Sequence, residues 1–91
     1  MLTAKQKRLF RAEGNRLRAE IWIGKEGISE GTIRTLENSF NTKELVKIKL
    51  QESSPLNCAE SAEKLCRRSG AELVQILGNT LLLYRPRKEK K

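Results

Sequence analysis

The chain has 91 residues, of which 37% are hydrophobic and 33% are charged, and its formal net charge is +8 at pH 7. A chain of this length buries roughly 60–65% of its unfolded surface, enough for one core, so we predict one domain over residues 1–86 and a basic, flexible tail over 87–91. Because the sequence contains neither His nor Asp, it excludes Ser-His-Asp and Cys-His catalysis and most zinc sites, and we expect no enzymatic activity, metal or cofactor.

The first predicted helix covers residues 3–13, because Thr3 is a suitable N-cap and no helix-breaking residue occurs before Gly14. Its predicted apolar side comprises Leu2, Ala4, Leu9, Phe10 and Ala12. The remaining surface carries Lys5, Lys7, Arg8 and Arg11. This basic side is either an ordinary solvated face or a face that contacts phosphates, and both interpretations stay open.

The first predicted strand covers residues 19–24, with Ile21 and Ile23 on one side and Trp22 on the other. Trp22 is the single tryptophan of the chain, and an exposed indole can stack on a base. A tryptophan inside a short strand is more often packed, wholly or in part, against the core. We therefore expect Trp22 to serve packing.

The strand leads into the loop Gly24-Lys25-Glu26-Gly27, and a helix follows from about Glu30 with Ser29 as its N-cap. The two glycines permit a tight turn and the close approach of a ligand, because they have no Cβ. The free amides and positive dipole end of the helix point back toward this loop. This arrangement predicts a phosphate site, and in so basic a chain we expect the phosphate to belong to a nucleic acid.

The middle of the chain has the pattern of a βαβ unit with parallel strands. Helix two is predicted over residues 29–40 and strand two over 44–51. In strand two, alternation directs Val46, Ile48 and Leu50 to one side and Leu45, Lys47 and Lys49 to the other. The lysine side either faces solvent or forms part of a basic groove.

Helix three is predicted from the N-cap Asn57 to Ser69, ending at Gly70. Its predicted buried stripe comprises Cys58, Ala59, Ala62, Leu65 and Cys66. Eight residues of helix rise about 12 Å, so the two cysteines are too far apart for a disulfide and we interpret them as small buried hydrophobes in a reducing compartment. Arg67 and Arg68 lie in the last turn, where the helix dipole alone explains them.

The last two strands are predicted over residues 72–77 and 80–85, joined by a hairpin turn at Gly78-Asn79. Strand four is apolar on both faces, which is typical of a central strand covered from both sides. The predicted order is therefore αβαβαββ, an α/β protein of the α+β two-layer type with a four-stranded mixed sheet. We expect helices two and three on one face and helix one over part of the other.

The positive charge is concentrated at the two ends of the chain. Residues 1–18 carry six Lys or Arg against one Glu, residues 85–91 carry five against one, and the middle is close to neutral. Such clustering is typical of a surface that binds a polyanion, with a mere aid to solubility as the alternative. No apolar run approaches the ~18 residues that span a bilayer and no signal peptide is apparent, so we expect a cytoplasmic protein without a membrane partner.

Several of these segments together resemble a known family. They are the N-terminal helix that begins Leu2-Thr3-Ala4-Lys5, the loop 24–27, the helix start 28–31, strand two at 44–49, the hairpin at 74–81 and the closing residues 83–86. The GxxG tetrapeptide alone is a weak signal, whereas the ordered set covers nearly the whole chain. It resembles the CRM domain in its stand-alone prokaryotic form, the YhbY-like proteins.

The resemblance implies an RNA-binding domain whose fold is similar to the C-terminal domain of bacterial translation initiation factor three. Stand-alone members of the family are associated with precursors of the large ribosomal subunit. The resemblance also implies that the GxxG loop, here Gly24, Lys25, Glu26 and Gly27, contacts RNA. The acidic Glu26 departs from what would suit a phosphate, so this side chain is expected to turn outward or to weaken the loop.

We therefore predict a monomeric, non-catalytic protein that binds large-subunit ribosomal RNA, with ribosomal proteins as further candidate partners. Base stacking is expected to be minor, because the chain has few aromatic residues. The alternative is a protein-interaction module on the ribosome or on an acidic partner, with incidental RNA affinity. The predicted RNA-binding residues are Gly24, Lys25, Glu26, Gly27, Lys5, Lys7, Arg8, Arg11, Lys47, Lys49, Arg85, Arg87 and Lys88.

Overall fold

The computed structural model describes residues 2–86, so the tail predicted over 87–91 lies outside the described residues. The elements are α1 (Ala4–Gly14), β1 (Ile21–Ile23), α2 (Glu30–Thr42), β2 (Leu45–Leu50), α3 (Cys58–Ser69), β3 (Glu72–Leu77) and β4 (Thr80–Tyr84). Their αβαβαββ order and the mixed four-stranded sheet confirm the predicted fold. None of the helices described is long and apolar enough to cross a membrane.

The sheet has the strand order β1-β2-β4-β3. β1 and β2 are parallel, as the βαβ pattern predicts, and β4 is antiparallel to both of its neighbours. Gly78 adopts a φ of 60° in the turn between β3 and β4, a conformation that favours glycine and closes the predicted hairpin. The prediction that strand four is central is confirmed.

Each helix begins at the N-cap that the sequence predicts. Thr3, Ser29 and Asn57 each accept a hydrogen bond from the backbone amide three residues later, and each forms a reciprocal capping box. Such caps satisfy amides that the helix itself leaves without an acceptor. Local hydrogen bonding therefore specifies where each helix begins, before any packing is considered.

The main core lies between the sheet and the helices α2 and α3. Alternation along the strands directs one apolar set toward these helices, which contribute Ile33, Leu36, Phe40, Ala62 and Leu65. The strand residues of this core are Ile21, Ile23, Val46, Ile48, Leu50, Leu81 and Leu83. The helices cover this face except at the edge strand β3, where Ile76, the partner of Leu81, is 41% exposed.

Helix α1 covers part of the opposite face of the sheet, as predicted. There it packs on a smaller cluster that contains Leu45, Val74 and Leu82. The rings of Phe10 and Tyr84 stack with their centroids 4.4 Å apart. At the end of the helix, Gly14 contacts Leu82 so closely that a Cβ at this position would lie 2.4 Å from a Leu82 methyl carbon. Only glycine permits this approach of helix and sheet.

The structure corrects the predicted apolar side of α1. Leu2 is buried and Phe10 is half-buried, but Leu9 is 60% exposed, and Ala4 and Ala12 are also exposed. The helix touches the sheet along the line that joins Phe10 to Gly14. Leu9 lies about 100° around the helix from Phe10, on the solvent side.

The structure also corrects the prediction for Trp22. This side chain is 55% exposed, although the prediction assigned it to packing. β1 comprises three residues rather than the predicted six, and Trp22 points away from the face that holds Ile21 and Ile23. α1 does not extend far enough to cover it.

Both cysteines are free, in agreement with their predicted separation. Cys58 and Cys66 are half-buried and Ala59 is exposed, so the helix α3 stripe is less buried at its margins than predicted. Burial raises the pKa of the Cys66 thiol, with a smaller contribution from the nearby charge of Glu72. Cys66 therefore remains a neutral thiol at physiological pH.

Candidate nucleic-acid interface

The loop predicted to contact RNA is a four-residue turn at the surface. The amide of Gly27 donates a hydrogen bond to the carbonyl of Gly24 over 2.9 Å, which closes the turn. Lys25 and Glu26 occupy its two central positions with negative φ and exposed side chains. The turn lies at the carboxyl ends of the parallel strands β1 and β2, at one end of the sheet.

Both glycines of this turn lie close to other residues of the protein. A Cβ on Gly24 would lie 2.7 Å from Oε1 of Gln51, and one on Gly27 would lie 3.2 Å from Cγ of Pro55. Gly27 also has a φ of 71°, in the left-handed region that favours glycine. Gly27 is therefore required by its φ and by its contact with Pro55, whereas the exposed Gln51 side chain can move away from a Cβ at Gly24. The side chains of Lys25 and Glu26 are both exposed.

The N-terminus of α2 offers fewer amides than the sequence suggests. In its capping box, Oγ of Ser29 accepts from the amide of Thr32 over 3.2 Å, while Oγ1 of Thr32 accepts from the amide of Ser29 over 3.3 Å. Helix geometry leaves the amides of Glu30 and Gly31 without an intrahelical acceptor. These two amides are therefore the ones available to an anion.

Glu30 adds a competing negative charge in the same turn. Its carboxylate accepts a 2.9 Å hydrogen bond from Arg68, and this bond, reinforced by the charge of Arg68, lowers the pKa of Glu30. The carboxylate is therefore ionised at neutral pH and takes up part of the positive field of the helix end. A phosphate at this end depends on additional cations.

The cations are distributed unevenly between the two faces of the sheet. Helices α2 and α3 together carry four Lys or Arg and four Glu, so their face is neutral. Helix α1, on the opposite face, carries four Lys or Arg and one Glu. We call the α1 side the basic face and define it by the exposed residues Lys5, Arg8, Arg11 and Lys49. Within residues 2–86, no ion pair engages these four cations or Lys25.

Two lysines on the same side of β2 have different environments. Nζ of Lys47 donates to the carbonyls of Gly14 and Leu17, both over 3.2 Å, and so caps the C-terminal end of α1. Lys49, two residues further along the strand, is exposed. Lys49 is free to bind an anion, whereas Lys47 would first have to release α1. The assignment of both to RNA stays a prediction.

This difference gives a matched pair of variants. Lys47→Gln should lower the free energy of unfolding by about 1–2 kcal/mol, because two part-buried carbonyls lose a charged donor. Lys49→Gln should leave stability unchanged within about 0.5 kcal/mol and weaken RNA binding. Urea unfolding and a binding titration on both variants check the pair, and a reversed pattern would contradict the assigned roles.

Other predicted site residues lie away from the basic face. Nη1 of Arg85 donates to Oε1 of Glu37 over 2.7 Å and to the carbonyl of Ser69 over 2.8 Å, on the α2–α3 side. The guanidinium also lies 5.0 Å from the ring centroid of Phe40. Lys7 is half-buried in a groove between α1, α3 and β3. Arg87 and Lys88 lie outside the described residues.

Trp22 is the surface residue that sequence reasoning missed. The register pairs Trp22 with Lys49, Lys49 with Thr80, and Thr80 with Leu77, so these four residues form one row on the same side of the sheet. We call it the open row, because Trp22 is 55% exposed and Leu77 is 64% exposed. The alternation of Ile21, Trp22 and Ile23 indicates that Trp22 faces away from the main core. Whether Trp22 is then exposed depends on how far α1 extends over the sheet.

No candidate metal centre accompanies this surface in the described part of the chain. Residues 2–86 contain no group of three or more Cys or Glu side chains placed to hold a metal ion. Together, the basic face, the start of α2 and the open row expose positive charge, backbone amides and one indole. These groups bind a polyanion and can stack on a flat ring.

Comparisons with known proteins identify a matching domain family and named relatives. Residues 2–85 match the CRS1 / YhbY (CRM) domain. The chain is 34% identical to the Probable RNA-binding protein YqeI of Bacillus subtilis over 91 residues, covering 100% of this chain and 95% of YqeI. It is 38% identical over 88 residues to the Probable RNA-binding protein MJ0652 of Methanocaldococcus jannaschii, covering 94% of this chain and 65% of that protein.

A solved structure shows the same fold. The solution structure of the hypothetical protein SAV1595 from Staphylococcus aureus superimposes with a TM-score of 0.83 at 35% sequence identity. The match covers 100% of this chain and 95% of SAV1595. With the match over residues 2–85 and relatives of more than 30% identity along almost the whole chain, the protein belongs to the CRS1/YhbY (CRM) domain family.

Proposed function

We propose that this protein binds RNA without catalysing a reaction, and that it does so through the basic face and the Gly24–Gly27 turn. The observation that carries the proposal is the contrast between the two sides of the sheet. One side is neutral, while the other presents Lys5, Arg8, Arg11 and Lys49 without ion pairs in the described chain. The relatives named as probable RNA-binding proteins support RNA as the polyanion.

The proposed mechanism is electrostatic positioning on the sugar-phosphate backbone. Each cation that neutralises a phosphate releases condensed counterions, so affinity falls as salt rises. Such contacts fix orientation and carry no sequence information by themselves. The turn adds the charge of Lys25 and a closely packed backbone to this surface.

We further propose that the RNA is ribosomal RNA in precursors of the large subunit, and that the protein acts as a cytoplasmic monomer. The family resemblance supports the choice of ribosomal RNA. A filter-binding series tests it with fragments of large-subunit and small-subunit ribosomal RNA of equal length over a range of salt concentrations. Preference for a large-subunit fragment at every salt concentration is expected, and equal affinity for all fragments would contradict it.

The same series separates RNA binding from protein binding. RNA binding by counterion release predicts a straight line of negative slope when log affinity is plotted against log salt. A protein-interaction module predicts weak RNA binding that vanishes near physiological salt, with capture of ribosomal proteins instead. That second outcome would replace the RNA proposal.

Lys25→Ala should weaken RNA binding and reduce the salt slope by about one, because one phosphate contact is lost. Lys64→Ala on the outer side of α3 is the matched control, since it removes the same charge from the neutral side. Glu26→Gln should act in the opposite direction and strengthen binding, because it removes the negative charge beside Lys25. If Lys25→Ala and Lys64→Ala gave identical salt slopes, the turn would have no direct contact with RNA.

A further inference from the structure

The aromatic side chains are used unequally in this fold. Phe10 and Tyr84 stack on one another, and Phe40 is buried in the main core. Trp22, the single tryptophan, is 55% exposed in the open row. The largest apolar side chain of the chain thus contributes little to the core that the other three rings help to build.

The end of α1 explains why this row is uncovered. The neighbouring row contains Lys47 and Leu82, and Gly14 packs directly on Leu82 while Lys47 caps the helix. The helix ends at Gly14, so its cover stops one row short of Trp22 and Lys49. The fold therefore leaves an indole and an ammonium side by side on adjacent strands, with their Cα atoms about 5 Å apart.

We infer that Trp22 is a stacking platform for an unpaired RNA base, with Lys49 neutralising a neighbouring phosphate. This inference rests on the proposed function and specifies that the RNA bound at the basic face contains unpaired bases. Aromatic rings stack on any base, because every base has a π-face, and this stacking adds to the electrostatic attraction. The sheet from Trp22 to Leu77 spans three strand spacings, about 14 Å, which gives room for a short single-stranded segment.

The charges around the row favour RNA over a protein as its occupant. The centres of protein interfaces are depleted in charged residues, whereas Trp22 adjoins the exposed Lys49, which has no ion pair within residues 2–86. The first 18 residues, which include α1 on the same side, carry six cations against one Glu. Unpaired bases fit better than a duplex, because bases in a duplex are stacked on one another and cannot reach a flat sheet.

The test uses the tryptophan emission of the wild-type protein, excited at the long-wavelength edge where Tyr84 does not absorb. This emission reports on Trp22 because the chain has no other tryptophan. Three ligands are titrated at one salt concentration: a single-stranded ten-uridine RNA, a fully paired RNA duplex and inorganic polyphosphate. Polyphosphate carries similar charge but has no bases. We expect ten-uridine RNA to quench the emission strongly, and duplex and polyphosphate to change it little.

The same three ligands are titrated with two variants of Trp22, and their affinities are measured by the anisotropy of labelled ligands. Trp22→Ala should lower the affinity for ten-uridine RNA between about fivefold and about a hundredfold, which is the range for loss of one stacked base. The affinity for polyphosphate should stay unchanged. Trp22→Phe should restore most of the affinity, because the ring is kept. Because Trp22 is largely exposed, both variants should fold, and circular dichroism checks this.

The remaining outcomes separate failure of the stacking role of Trp22 from failure of RNA binding itself. If all three ligands bind but Trp22→Ala weakens none of them, or weakens all equally, the stacking role is wrong while RNA binding survives. If wild-type emission changes with protein concentration in the absence of ligand, a second copy covers the row and the inference is overturned. If no RNA binds under any salt condition, the proposed function itself fails.

Discussion

Neutralising Lys5, Arg8 and Arg11 together as glutamines should reduce affinity for RNA roughly a hundredfold at about 0.1 M salt and lower the salt slope by about two. All three side chains are exposed on the basic face, and none forms an ion pair within residues 2–86. Their charges are therefore available to phosphates. Glutamine keeps the helix propensity nearly unchanged, so α1 should remain folded.

The matched control removes the same net charge from the other side of the sheet. Arg34, Lys64 and Arg67 are exposed on α2 and α3, and their triple glutamine variant should keep a salt slope close to that of the wild type. Affinity measured against salt for both triple variants checks the prediction. Equal slopes for the two would mean that net charge, rather than the basic face, attracts the RNA.

Gly14→Ala should destabilise the protein by about 1–3 kcal/mol, although alanine is the better helix former. The added Cβ would lie 2.4 Å from a methyl carbon of Leu82, a side chain that is itself buried in the centre of the sheet. Either Leu82 changes its packing or α1 moves away from the sheet, and both cost free energy. For a domain of this size the melting temperature should fall by about 5–15 °C.

Gly31→Ala is the matched control, because Gly31 lies in a helix and its added Cβ would meet its nearest atom, Oγ of Ser29, at an ordinary 3.6 Å. We expect this variant to be neutral or more stable by up to about 1 kcal/mol. Thermal and urea unfolding of both variants measure the difference. A Gly14→Ala protein as stable as the wild type would show that α1 is not packed against Leu82 as described.

The elements were predictable because each is specified locally. Thr3, Ser29 and Asn57 mark helix starts by their side chains, and Gly78 marks the hairpin by its backbone freedom. The apolar character of Leu81, Leu82 and Leu83 on both sides predicted a central strand before any pairing was known. Such features depend on neighbours within a few residues, which a sequence displays directly.

The burial and contacts of single side chains were less predictable, because they depend on strand register and on the position of α1. Lys47 and Lys49 are equivalent by alternation, yet only Lys47 meets the carbonyl groups at the end of α1. Arg85 was grouped with the basic tail, but strand alternation and packing bring it to Glu37 on the other side of the sheet. Trp22 was assigned to packing because the sequence does not show how far α1 extends over the sheet, which depends on the tertiary structure.

A map of the amides that RNA affects, by NMR shifts or hydrogen exchange on the labelled protein, shows which face of the sheet the RNA contacts. Binding through the basic face predicts changes along α1, at residues 22–27 and around Lys49, with α2 and α3 unaffected beyond their first turns. Changes concentrated on the outer sides of α2 and α3, around Arg34, Lys64 and Arg67, would show that RNA does not bind through the basic face.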